Sequence, residues 1–217
     1  MNKRLALALA LPAAVILPAG AALAVSAGTY GAALEAVPHS HSADGGSNVT
    51  GESSLRLTGR MLDVRLTASG LTPNEPHAMH IHGVTTAVNE CPSIEVDENT
   101  GDPIDPDGFR AGTPDGLISL GEGAPDYGPI DVSLTTDGDT SPGSGLELSR
   151  MVVADADGNI SYHRSVEVPK DVAKNLANLH IVIHGTELPG DANSSSLSSL
   201  FEATLPVACG ESDATTR

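Results

Sequence analysis

Histidines are the residues of this sequence that are best placed to do chemistry. Five of the eight histidines fall in two short stretches, "HAMHIHG" at 77–83 and "LHIVIHG" at 179–185. Imidazole nitrogens are good ligands for copper and zinc. In an extended strand, successive side chains alternate between faces, so His80 and His82 share one face and the apolar residues between them share the other. The spacing predicts a pair of metal ligands on a strand whose opposite face lies on a core.

The second stretch offers a histidine from another strand to complete the site. His180 and His184 are four residues apart and share a face, but about 13 Å of strand separates them, which is too far for both to bind one ion. A pair on one strand and a single histidine on a second strand converge on one point outside a sheet. The structural alternative is that these histidines cap the rim of a barrel through hydrogen bonds to the backbone.

The elements that must position these histidines are predicted to be strands. Apolar and polar residues alternate over 54–71, and 146–168 contains two apolar stretches joined by an Asp-Gly turn. The segment 199–210 is predicted to be the last strand, and helices are not evident beyond a short turn near 172–179. Many short strands with Gly and Pro turns predict an all-β sandwich or barrel.

One long segment, 90–145, lacks this alternation and is rich in Gly, Pro, Asp and Thr. Its acidic part, 97–108, is dense in oxygen ligands, but the spacing fits no strict calcium loop, so a solvated acidic loop is favoured. A loop of this length is usually functional or partly disordered.

The two ends of the chain are expected to lie outside the folded domain. Residues 1–27 combine Lys3 and Arg4 with an apolar run and small residues, which is typical of a secretory signal peptide; a retained membrane anchor is the alternative. Residues 28–52 are rich in Gly, Ser and Ala, and we expect a flexible leader. Its His39 and His41 are interpreted as disordered polar sequence, with a weak metal-scavenging tract as the alternative.

Charge and cysteine content narrow the class of protein. The formal net charge is −17, and it becomes −19 when Lys3 and Arg4 are removed, which argues against nucleic acid and anionic membranes as partners. In an exported chain the only two cysteines, Cys91 and Cys209, are most simply a disulfide. Such a bond would contribute roughly 4–5 kcal/mol by loop-closure entropy.

Several motifs together resemble the copper/zinc superoxide dismutases. "GLTPNEPHAMHIHG" resembles the family's copper-binding strand, "VVADADGNISY" its Asp-Gly hairpin, "LHIVIHG" a second copper strand and "LPVACG" its C-terminal cysteine motif. The resemblance implies a Greek-key β-barrel over 53–210 with a tail at 211–217. It further implies copper ligands at His80, His82 and His184, a structural brace at His77, and a disulfide between Cys91 and Cys209. His180 is left as a supporting or core residue.

The sequence also departs from that family. No histidine lies between Cys91 and Gly145, so the family's bridging histidine and zinc ligands have no counterpart, and we expect copper but not zinc. The arginine that attracts superoxide ahead of the C-terminal cysteine motif is also missing. Three hypotheses follow. The protein is a secreted or envelope copper-only enzyme acting on superoxide, a non-catalytic copper-binding or copper-buffering module, or a structural extracellular domain of the chordin type.

Overall fold

The protein is built around one antiparallel sheet that curls into a half-barrel. The computed structural model describes residues 27–39, 47–83, 88, 90–98, 116–186 and 200–215. The sheet has the strand order β6-β5-β9-β10-β1-β2-β3-β8, and a short β11 pairs with β1; β4 and β7 form a separate two-stranded ladder. The strands are β1 (Gly28–Ala36), β2 (Thr50–Thr58), β3 (Met61–Ser69), β4 (Pro76–His77), β5 (Met79–His82), β6 (Ile130–Ser133), β7 (Val152–Val153), β8 (Ile160–Glu167), β9 (His180–His184), β10 (Pro206–Glu211) and β11 (Asp213–Ala214). This architecture agrees with the predicted all-β class.

Period-2 alternation sets which face of each outer strand is buried. In β3, Leu62, Val64 and Leu66 are buried while the residues between them are partly or fully exposed. The inner faces of the strands supply a continuous aliphatic core, to which β5 and β9 contribute Ile81 and Ile181. β5 and β9 differ from β3 because both of their faces are buried. The outer face of β5 and β9, which carries the histidines, must therefore be covered by another part of the chain.

The two ends of the curled sheet are joined by side chains rather than by a ladder of strands. Arg164 on β8 donates hydrogen bonds to the carbonyl oxygens of Thr135 (2.8 Å) and Gly138 (2.6 Å), which lie just after β6. The hydroxyl of Tyr162 donates to the same Thr135 carbonyl at 3.1 Å. These bonds satisfy carbonyl groups that an open edge would leave to solvent. Arg164 therefore has a structural role in closing the barrel.

The prediction of a flexible leader at 28–52 is wrong for most of the described residues in this range. Gly28–Ala36 forms β1, which pairs along its length with β2 and also with β10, and β2 itself begins at Thr50. The small residues that suggested a flexible chain allow close strand packing instead, since a Cβ on Gly51 would overlap the carbonyl oxygen of Thr67 on β3. His39 is also buried; it donates from Nε2 to the Pro206 carbonyl (2.6 Å) and accepts from the Ile118 amide (3.0 Å).

The described connections contain three α-helices, and two of them were not expected. These are α1 (Leu120–Tyr127), inside the long irregular segment, α2 (Lys170–Asn175), at the expected short turn, and α3 (Leu200–Thr204), where the last strand was expected to begin. The Asp-Gly turn forms as predicted, with Gly158 at a φ of 74°. The short strand before it, β7, however pairs with β4 and not with β8. In the tail expected at 211–217, Asp213–Ala214 forms β11.

The predicted disulfide is present and joins the long segment to the sheet. The Cys91–Cys209 bond links residues 118 apart in sequence across a Cα–Cα distance of 5.7 Å. A disulfide fits an extracellular or otherwise oxidising compartment. In the described parts of the chain, no helix is long and apolar enough to cross a membrane. Residues 1–26 of the proposed signal peptide, His41, and residues 99–108 of the predicted acidic loop lie outside the described residues.

Candidate metal centre

The candidate site is assembled by two neighbouring central strands. β5 and β9 are antiparallel, with His82 opposite His180 and His80 opposite Val182. Directly opposed residues of an antiparallel pair present their side chains on the same face, so the histidines of both strands lie on the outer face, while Met79 and Ile81 belong to the inner core. The structure brings His80, His82 and His184 together, with one ring nitrogen of each within 4.8 Å of the others.

Each of the three rings makes one hydrogen bond to a backbone carbonyl. His80 Nε2 lies 2.9 Å from the oxygen of Gly145, His82 Nδ1 lies 2.9 Å from that of Gly128, and His184 Nδ1 lies 2.8 Å from that of Thr204. Because a carbonyl only accepts, each of these nitrogens must carry the proton. In a neutral imidazole the other nitrogen then has a free lone pair. The carbonyls therefore select Nδ1 of His80, Nε2 of His82 and Nε2 of His184 as potential ligands.

Within the described residues, no N–H or O–H group donates a hydrogen bond to these three nitrogens. Nδ1 of His80 is buried without a hydrogen-bond partner. Nε2 of His82 and Nε2 of His184 lie 3.5 Å apart, and in these tautomers two lone pairs face each other. Nitrogen ligands bound at about 2.0–2.1 Å with tetrahedral to trigonal angles are about 3.3–3.6 Å apart. The spacing of this pair therefore fits a metal ion, whose positive charge would attract both lone pairs.

Burial keeps the three imidazoles neutral. His80, His82 and His184 are each at most 3% exposed. Burial lowers the pKa of His80 to about 4 and that of His82 to about 3, and it lowers the pKa of His184 well below its usual value. Repulsion between neighbouring protonated rings contributes to the lowered pKa values of His82 and His184. Since metal binding requires the unprotonated nitrogen, all three rings are ready to bind at neutral pH.

The long segment covers this face of the sheet. Tyr127, at the end of α1, packs edge-on against His82 with ring centroids 4.8 Å apart and lies 6.3 Å from His184. It belongs to a second apolar cluster that includes Val182 and Cys209. Backbone hydrogen bonds from Val88 to Pro125 and from Glu90 to Asp126 attach α1 to the chain beside the disulfide. The predicted loop is thus, in its described part, the lid of the site.

The supporting histidines lie around this centre without joining it. Both ring nitrogens of His77 lie 3.1 Å from backbone carbonyls, Nδ1 from that of His184 and Nε2 from that of Thr72. Burial lowers the pKa of His77, so the neutral ring donates to one of the two carbonyls at a time. The contact with His184 joins β4, which immediately precedes β5, to the backbone of β9. His180 is 2% exposed and stands apart from the group of three.

Sequence reasoning did not find the groups that orient the ligands. These groups are backbone carbonyl oxygens, and every residue has one, so no residue pattern predicts their role. They belong to Gly128, Gly145 and Thr204. Gly145 has an additional role, because a Cβ there would lie 3.0 Å from Nε2 of His80. Tyr127 was equally unmarked, since the irregular composition of its segment hid the short helix that carries it.

Together, fold and site define an antiparallel all-β protein with a buried three-histidine group that could hold a metal ion. In comparisons with known proteins, no protein-family model matches the chain, and no curated protein matches it.

Proposed function

We propose that the protein is an exported copper-binding protein whose ion is held by His80, His82 and His184. The observation that carries this proposal is the hydrogen bonding of the three rings, in which every outward N–H is donated to a backbone carbonyl and every inward nitrogen is a lone pair. Three imidazoles suit either copper or zinc, but Cu²⁺ binds nitrogen ligands more tightly than Zn²⁺. Copper is therefore the favoured ion, and the disulfide supports an oxidising compartment.

We further propose that the scaffold is a barrel of the copper/zinc superoxide dismutase type. Three consecutive hairpin strands, β1, β2 and β3, are flanked by β10 and β8, which return from distant parts of the chain. A late strand lying beside the first of three consecutive strands is the arrangement of a Greek key. The Asp-Gly turn ahead of β8 and the Cys91–Cys209 bond are consistent with this proposal, although the strand before the turn pairs with β4 and forms no hairpin with β8.

Superoxide disproportionation is a second candidate function of the same site. Copper would supply the redox chemistry by oxidising one superoxide and reducing the next. Three imidazoles leave coordination positions open for a small molecule, which favours this reading. The chain would hold the ligand geometry rigid through the carbonyl contacts and the Tyr127 lid.

Two observations weigh against catalysis. No histidine lies between Cys91 and Gly145 to pass protons, so water would have to supply them. The near-complete burial of the ligands favours holding the ion over turnover.

A copper titration followed by electron paramagnetic resonance tests the binding proposal. The protein recovered after export should show one tightly bound Cu²⁺ with nitrogen hyperfine coupling from three imidazoles. His82→Gln and His184→Gln should each lose this signal. His163→Gln is the matched control, because His163 lies on the outer surface paired with Asp63 and should leave the signal unchanged. A tight signal that survives in His82→Gln would overturn the proposed ligand set.

The copper-loaded protein then separates the two functions. Enzymatic disproportionation predicts that superoxide decays faster with the loaded native chain than with the loaded His82→Gln variant or free buffer. A buffering module predicts stoichiometric copper binding with superoxide decay equal to that of buffer.

A further inference from the structure

His180 is the one histidine of the two metal strands whose ring has no assigned role. Its side chain is 2% exposed, and neither ring nitrogen has a hydrogen-bond partner within the described residues. A buried polar group without a partner costs about 1–3 kcal/mol. The other described histidines of these two strands, together with His77, all hydrogen-bond to carbonyls. Within the described residues, the ring of His180 therefore keeps a nitrogen available for a ligand.

A carboxylate on the neighbouring strand faces this imidazole. Glu211 lies directly opposite His180 on β10, and its Oε1 is 3.9 Å from Nε2. Burial lowers the pKa of His180, while the negative charges of Glu211 and Glu90 oppose that shift, so both carboxylates act on the ring. Glu211 is 58% exposed, which leaves its side chain free to adjust by the small distance that a shared ion requires.

An acidic surface groove lies beside this position. Glu211 lines a groove of about 370 Å³ together with Glu35 and Asp213, and the Cys91–Cys209 disulfide forms another part of its wall. Clefts lined by charge of one sign concentrate ions of the opposite sign. The overall charge of −17 acts in the same direction. Cations are thus drawn to the groove, while anions are repelled.

We propose that His180 and Glu211 form a second cation site for a divalent transition metal. One imidazole nitrogen and carboxylate oxygens make a mixed donor set that suits Cu²⁺ or Zn²⁺. With fewer protein nitrogens than the group of three histidines, and with an exposed partner in Glu211, this site binds more weakly and exchanges its ion faster. It does not require the first site to be filled, although His180 lies directly opposite His82 on the neighbouring strand.

The test is a Zn²⁺ titration of the native chain carrying ¹⁵N-labelled histidine, followed by nuclear magnetic resonance. The first equivalent should shift the ring nitrogens of the three-histidine group, and the second should shift those of His180. His180→Gln should lose the second binding event and keep the first, whereas His82→Gln should do the reverse. Failure of this inference is therefore distinguishable from failure of the proposed copper site.

Two further variants guard the result against folding artefacts. Glu211→Gln changes only an exposed side chain and should weaken the second event without altering the first, so it decides the matter if His180→Gln is unstable. His163→Gln, at another histidine–carboxylate pair, should keep both events. A second event that persists in both His180→Gln and Glu211→Gln, or its absence from the native chain, would overturn the proposal.

Discussion

At the scale of single residues, the site depends on backbone carbonyls as much as on histidines. Each carbonyl removes one tautomer of the ring that it faces, so the ligand nitrogen is chosen before any ion arrives. This preorganisation is compatible with neutral, buried rings, because the hydrogen bonds replace the water that burial removes. The ring positions are consequently sensitive to small changes in the loops that carry these carbonyls.

Gly145→Ala should weaken metal binding without a large loss of stability. The added Cβ would lie 3.0 Å from Nε2 of His80 and would push the ring away, whereas the φ of −57° at Gly145 accommodates alanine. Outer-sphere changes of this kind cost about 10–100-fold in metal affinity. Competition titration against a copper chelator would measure the change.

Gly143→Ala is the matched control for this prediction. Its Cβ would meet only Oγ of Ser141, at 3.7 Å, so copper affinity should stay at the native value. Equal affinities in the two alanine variants would contradict the role assigned to Gly145.

A second residue-scale prediction concerns Asp131, whose Oδ2 is buried without a hydrogen-bond partner. Burial, and secondarily the charge of Asp171, raises the pKa of Asp131 to about 6. The folded state therefore binds more protons than the unfolded state between about pH 4 and pH 6, and this carboxyl lowers stability as the pH rises through that window.

Asp131→Asn should consequently gain unfolding free energy relative to the native chain as the pH rises from 4 to 7. Because the group is only partly buried, we expect a gain on the order of 1 kcal/mol. Urea unfolding at both pH values gives the difference. Asp171→Asn should show a smaller change of the same sign, and a variant that gains nothing at pH 7 would refute the assignment.

At the scale of elements, α1 links the lid to the three-histidine group. Ser119 caps the helix by accepting from the Glu122 amide, and the Glu122 carboxylate accepts from the Ser119 amide in return. The other end of α1 presents Tyr127 to His82 and is followed by Gly128, whose carbonyl binds the same ring. The helix is two turns long, a length at which capping contributes much of its local stability.

Ser119→Ala should lower the unfolding free energy by about 1 kcal/mol, because it removes the side-chain acceptor of the capping box. Chemical denaturation would measure the loss. Ser119→Asp restores an acceptor and should recover most of the stability. An aspartate variant as unstable as the alanine variant would show that the cap is not responsible.

At the scale of the whole molecule, the disulfide and the side-chain bonds of Arg164 complete a barrel that the strand ladders leave open. Cys91 anchors the covering segment to β10, the strand that lies between β9 and β1. The lid is thereby attached to the sheet at a point close to the second apolar cluster. The net charge of −17 produces an electrostatic field that attracts cations, which is compatible with the two proposed metal sites on this face.

Removing the disulfide should destabilise the protein by about 3–5 kcal/mol, because the bond closes a loop of 118 residues in the unfolded chain. The Cys91→Ala/Cys209→Ala double variant should unfold at lower urea concentration than the oxidised native chain. The native chain in reducing agent should match the double variant. Unchanged unfolding in the double variant would mean that the covering segment is held by other contacts alone.

The sequence by itself determined the strand class, the disulfide pairing and which histidines can share a face, because these properties follow from local alternation and from composition. Tertiary structure decided the rest. The sequence analysis missed β1 because small residues indicate close strand packing only when the partner strand is known. The close approach of Gly210 on β10 to Ala33 on β1 exists only in the folded chain. The local sequence also treats His180 and His184 alike. The curl of the sheet and the carbonyl of Thr204 bring only His184 to the ligand pair, and leave His180 beside Glu211.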